Sequence, residues 1–187
     1  MRVSWFHWLK ILIILAVTAL GLLWMGRAPI CACGYLRLWP AVDVLTENSQ
    51  HLSDWYTPSH IIHGALLYAA LWAVAAGVPF NTRMVIATAL EAGWELLENS
   101  DLIIAQYRAD SVTLGFFGDS VVNSLTDIVV MIGGFYMAAA LPVAASVALM
   151  IGLEVLTFWL IRDGLVLIVL RYILPFGPLR DWLPPGG

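Results

Sequence analysis

Charge is scarce in this chain, and so is cysteine. Only 12% of its 187 residues are Asp, Glu, Lys or Arg, against 61% that are hydrophobic, and its mean hydropathy of +0.86 excludes an ordinary soluble domain. The nine Lys and Arg residues form no run or patch, which excludes a nucleic-acid surface. The two cysteines, Cys31 and Cys33, form a single C-A-C. They stand too close in sequence to staple distant segments, so no disulfide framework is expected, and an ordinary loop is the reading of this stretch ahead of metal or redox chemistry. Also missing are an H-E-x-x-H helix and the K-x6-R-P and S-R stretches with which lipid phosphatases grip phosphate. The P-S-H of Pro58 to His60 therefore does not mark a phosphatase, and the acids nearby would repel a phosphate.

What the chain does have is long apolar runs. A membrane helix needs roughly 20 mostly apolar residues, and segments 9–26, 59–78, 84–105, 119–141 and 143–161 meet or approach that length. The fold class expected is all-α, a polytopic membrane helix bundle of about five spans in a single domain, with the lipid bilayer as its first partner. Arg2 and Lys10 flank the first apolar core, which ends at Gly26-Arg27 without an A-x-A-like cleavage site, so a retained helix is expected rather than a cleaved signal. The tryptophans are read as interfacial anchors, and Gly133, Gly134 and Gly152 as points of close helix packing.

Thr57 or Ser59 is expected to cap the second helix, with Pro58 in its first turn, and Pro142 to mark a tight turn before the fifth. Past residue 161 an interfacial tail, 162–187, is expected, because Pro175, Pro178, Pro184 and Pro185 stop any helix. Arg162-Asp163 reads as a local ion pair. Glu154 is placed either in the central cluster or against Arg162. The first helix sets the expectation of a cytoplasmic N-terminus, although the positive charges are spread over both sides.

Against this apolar background three polar stripes stand out. His60 and His63 share a helix face at i, i+3; Glu91, Glu95 and Glu98 lie at i, i+4, i+7 with Asn99 beside them; Asp119, Asn123 and Asp127 repeat at i+4, with Ser120 and Ser124 one position round. A carboxylate at mid-bilayer costs from about 3 kcal/mol on insertion scales to above about 10 in simulations, so these acids need partners, water or protons. Turning the three stripes inward builds one polar cluster. His60, His63, Glu95 and Asp119 are the candidate metal ligands, for Zn, Fe or Mn, and Glu91, Glu98, Asn99, Asn123 and Asp127 complete the cluster.

Other readings are a proton relay or small-ligand site, and hydrogen bonds that only hold helices together. The functional alternatives are a metal-dependent hydrolase of a lipid or envelope substrate, in which the metal would activate water, and a structural subunit of a larger membrane complex.

Four ordered stretches, NSQHLSDWYTPSHIIHG, EAGWELLENSDLIIAQYR, GDSVVNSLTDIVVMIGG and IRDGLVL, resemble uncharacterised protein family 0314, also called domain of unknown function 2585. These are multi-pass inner-membrane proteins of alphaproteobacteria. The resemblance implies location and topology class, the cell inner membrane, and no assigned activity. Gly164 and Ile168 depart from the family pattern, which has asparagines there. A looser similarity, acids and amides on successive helices, links the chain to VanZ-like membrane proteins.

Overall fold

The apolar runs fold as helices because nothing inside them competes: proline falls at their ends and the interior residues are good helix formers. The structure, a computed structural model, describes residues 4–39, 47–109 and 116–173, without the side chains of 106–109 and 171–173. Every regular element among them is a helix: α1 Trp5–Trp24, α2 Thr57–Val74, α3 Phe80–Glu98, α4 Asp101–Ala109, α5 Val121–Ala140, α6 Val143–Ile161 and α7 Leu165–Ile173. Three of them, α1, α5 and α6, are long and apolar enough to cross a membrane by length and composition. Helix α2, where a span over 59–78 is expected, falls short because its Thr-Pro-Ser-His head and His63 dilute it, and α3 because it carries Arg83, Glu91, Glu95 and Glu98.

Polar and apolar residues are distributed inside out. Trp24, Val74 and Trp159 are 88%, 82% and 68% exposed, whereas Glu95, Asn99, Ser120 and Ser124 are fully enclosed. An exterior of this kind suits hydrocarbon rather than water. The apolar core is small and sits toward one end, with Ile11, Met84, Ile128, Met131 and Phe135 at its centre.

Helices α2 and α5 form the tightest pair, and glycine is the reason. A Cβ on Gly64 would meet the Met131 carbonyl oxygen and stand 2.6 Å from the Phe135 nitrogen; one on Gly134 would strike the Ile61 carbonyl. Backbone therefore lies on backbone at both points. Gly133 and Gly152, expected to do the same, have open space where a Cβ would go.

Several ends differ from expectation for local reasons. Neither Thr57 nor Ser59 caps α2. Asp54 does so, its Oδ1 accepting from Tyr56 N at 2.7 Å and Thr57 N at 3.0 Å, while Thr57 Oγ1 accepts from Asp54 N at 2.9 Å. This is a reciprocal box of the kind that closes helix N-termini, and Pro58 follows in the first turn as expected. The expected single helix 84–105 starts early, at Phe80, and is broken at Asn99-Ser100, where Asn99 turns its side chain to another segment and α4 begins.

Pro142 stands between α5 and α6 as expected, and α6 ends at Ile161 because Arg162 takes the left-handed conformation at φ 57°. Glu154 joins neither the cluster nor Arg162: its two carboxylate oxygens accept from Leu165 N at 3.2 Å and Val166 N at 2.8 Å, capping α7. Asp163 accepts from the Tyr56 hydroxyl at 3.1 Å, tying this corner to the head of α2. The tail beyond 173 lies outside the described residues.

Candidate functional site

Helical periodicity turns the three stripes to a common interior. His60, on the first turn of α2, is buried among α3 and α5. Its Nδ1 lies 2.7 Å from Glu91 Oε1, and His63 Nδ1 lies 3.0 Å from the same oxygen. One carboxylate oxygen thus bridges two imidazoles, whose rings stand edge to face at 5.2 Å. Trp94 closes the side of His63, 6.2 Å between ring centres, so one tryptophan lines the site.

Beyond the histidine pair the cluster is short of donors. Glu95 Oε1 is 3.7 Å from His60 Nδ1, and Asp127 Oδ2 is 3.8 Å from His60 Nε2, both too long for hydrogen bonds. Neither oxygen of Glu95 has a hydrogen-bond partner among the described residues, nor does Asp127 Oδ1, either polar atom of the Asn123 amide, or Ser59 Oγ. Such orphans are rare in folded proteins because each costs its full desolvation. Two overlapping sets, His60–His63–Glu91 and His60–Glu95–Asp127, each bring one donor atom per residue within 4.8 Å of the others.

The other predicted residues go elsewhere. Asp119 lies just before α5 and is engaged by Asn99, whose Nδ2 donates to Asp119 Oδ2 at 2.7 Å and whose Oδ1 accepts from Asp119 N at 2.7 Å. Asn99 Nδ2 also reaches Glu95 O and Ser124 Oγ. Ser120 caps α5 by accepting from Asn123 N at 3.2 Å and donates to Gln50 O at 3.0 Å. The loop before α2 is thereby sewn over the mouth of the bundle, with Gln50 Nε2 donating to Gly118 O and Ser120 N to Ser49 O. Glu98 is half-buried near this mouth.

The geometry therefore joins His60 to Glu91, Glu95 and Asp127. His63 enters through Glu91, and Asp119 belongs to the mouth. Glu91 and Asp127 carried the same stripe signal as Glu95, and only the depth at which α3 and α5 meet α2 separates them.

A second polar constellation, of which the sequence singles out the C-A-C but not His51 or Glu47, lies in the loop between α1 and α2. Cys31 and Cys33 are joined by a disulfide, which corrects the expectation of a plain loop while still stapling nothing distant. His51 is wholly buried beside them and Glu47 Oε2 stands 3.0 Å from its Nε2. Hydrogen bonds from Tyr35 and then His51 hold the Glu47 carboxyl below the usual carboxylate range.

Set against known proteins, residues 22–184 match the family model described as protein of unknown function (DUF2585). A UPF0314 protein of Paracoccus denitrificans is 53% identical over 176 residues, 94% of this chain and 91% of that one. Another, of Sinorhizobium fredii, is 43% identical over 181 residues, 97% and 92% of the two chains. No solved structure matches the chain.

Proposed function

This chain belongs to the DUF2585 family of UPF0314 proteins, and we propose that it is a multi-pass inner-membrane protein whose helices α2, α3 and α5 hold a divalent cation inside the bilayer. The observation that carries the reading is Glu95: a fully enclosed carboxylate, neither oxygen of which has a hydrogen-bond partner among the described residues, facing His60 and Asp127. A buried acid in that state is compensated by a proton or by a cation.

The histidine favours a cation. With Nδ1–H donated to Glu91, the neutral form of His60 directs the lone pair of Nε2 toward Asp127 Oδ2 across 3.8 Å. Two acceptors facing one another at that distance repel, whereas two ligands each roughly 2.1 Å from a shared Zn²⁺ span it. Glu91 then plays the orienting carboxylate of a carboxylate–histidine–metal triad. Imidazole with two carboxylates suits Zn, Fe or Mn.

An all-helical architecture rather than a barrel fits the inner membrane, with α1, α2, α3, α5 and α6 as the spans. A cytoplasmic N-terminus would put the loop carrying the Cys31–Cys33 disulfide on the oxidising side, where such bonds persist.

The test is elemental analysis of detergent-purified protein prepared without chelators, beside Glu95→Gln/Asp127→Asn. About one divalent ion per chain, lost in the double variant, is the expected result. Both changes remove an uncompensated charge, so the metal-free variant is expected to unfold no earlier than the metal-free parent. Parent protein without stoichiometric metal, or a double variant that keeps it, would end the proposal.

A further inference from the structure

The loop constellation has chemistry of its own, remote from the acids. Cys31 is buried and Cys33 half-buried, His51 is fully enclosed, and one donor atom from each lies within 4.8 Å of the others. Stabilisation by a disulfide grows with the length of loop it closes, and a bond between residues two apart closes almost the shortest loop possible. A purely structural staple is therefore a poor account of this bond, and the surroundings of His51 supply a better one.

His51 is held as a metal-binding histidine is held. Glu47 takes the Nε2–H at 3.0 Å, which leaves Nδ1 as the unprotonated nitrogen. Among the described residues Nδ1 accepts a single long hydrogen bond, from Arg37 N at 3.4 Å, which a metal can displace. Tyr35 stacks on the imidazole at 5.6 Å and hydrogen-bonds Glu47, while Arg37 lies over the Tyr35 ring at 4.6 Å. The ring is thus fixed in place and tautomer beside two sulfurs. Cys33 N donates to Cys31 Sγ at 3.1 Å, an arrangement that stabilises a thiolate there.

We propose that Cys31, Cys33 and His51 form a redox-gated site for a thiophilic ion such as Zn²⁺, closed as the disulfide and open as the dithiol. Opening takes two electrons and two protons from a dithiol-class reductant, which leaves as its own disulfide while the Cys31–Cys33 bond becomes two thiols. Binding then releases those two protons as both thiolates and His51 Nδ1 coordinate. The thiolate is the metal ligand and a disulfide sulfur is not one, so the bonded Cys31–Cys33 pair cannot chelate until it is cut. Two thiolates and one imidazole leave a fourth position for water or another ligand.

The test uses the full chain in detergent, oxidised or reduced with a phosphine under anaerobic conditions, titrated with Co²⁺ as the spectroscopic stand-in for Zn²⁺. Reduced protein is expected to develop a near-ultraviolet thiolate-to-metal charge-transfer band at one Co²⁺ per chain, bleached by Zn²⁺. Oxidised protein should show no such band. Cys31→Ser/Cys33→Ser and His51→Ala should each lose or weaken it, while Glu95→Gln, which touches only the intramembrane site, should keep it. Cys33→Ser alone, at the half-buried position, guards against misfolding of the others and should also lose the band. No band in the reduced parent, or an undiminished band in Cys33→Ser, overturns the proposal without bearing on the intramembrane site.

Discussion

The mouth of the bundle and its interior are built from the same residue types, yet they do different things with them. At the mouth, Asn99, Asp119, Ser120, Ser49 and Asp54 are buried and bonded to one another or to backbone. One to two turns deeper, Glu95, Asn123 and Asp127 are equally buried and leave five polar atoms without hydrogen-bond partners among the described residues. Burial of polar groups in an apolar bundle is therefore no mark of a site by itself. A satisfied network is scaffold, and the reading in which amides and hydroxyls merely hold helices together describes the mouth well. An unsatisfied one asks for something the described residues do not supply.

The largest expected effect comes from breaking the satisfied side. Asn99→Leu would strand the Asp119 carboxylate and the Asp119 N–H, both enclosed, at a cost of about 3 kcal/mol. Thermal unfolding in detergent should show a lower midpoint, while the protein that remains folded should bind the proposed metal as the parent does. Loss of metal at unchanged stability would instead place Asn99 in the site and erase the distinction between the two regions.

Much of this was legible in the sequence, and the failures share a cause. The i, i+4, i+7 spacing of Glu91, Glu95 and Glu98 and the i+4 spacing of Asp119, Asn123 and Asp127 follow from helix geometry alone, so an inward-facing set of acids was readable. Which acid meets His60 depends on how deep each helix sits relative to α2, and no local pattern encodes depth. The break at Asn99 was invisible for the same reason, because the partner that draws its side chain away lies at Asp119. Gly64 gave no sign either: it stands alone on α2, and its need to be glycine exists only opposite Met131 and Phe135. The C-A-C by itself reads as an ordinary loop, and the interest of the pair comes from His51, brought beside it by the folding of the loop.

Within the interior, the next effect separates a ligand from the group that aims it. Glu91 is a bonded member of an otherwise underbonded cluster, holding His60 and His63 at 2.7 and 3.0 Å. Glu91→Gln keeps the shape and removes the charge that fixes both rings. Metal affinity should fall about 10- to 100-fold, read by competition with a chromophoric chelator, with stoichiometry at saturation unchanged. A complete loss of metal would make Glu91 a direct ligand and shift the centre to the His60–His63–Glu91 set.

The smallest effect gives the sharpest comparison, because it pits two buried serines against each other. Ser120 Oγ accepts from Asn123 N and donates to Gln50 O, capping α5 and pinning the loop; Ser59 Oγ has no hydrogen-bond partner among the described residues. Both are nearly or wholly enclosed, so exposure predicts equal effects for their removal. Satisfaction predicts different ones: Ser120→Ala should cost about 1 kcal/mol as a lost cap, and Ser59→Ala should stay within about 0.5 kcal/mol of the parent or improve on it, since an unpartnered hydroxyl is itself a burden. Parallel denaturation of the two variants, metal-free, decides between these. If Ser59→Ala costs as much as Ser120→Ala only when the proposed metal is present, then its hydroxyl belongs to the coordination sphere, and the cluster takes in the residue just before His60 at the head of α2.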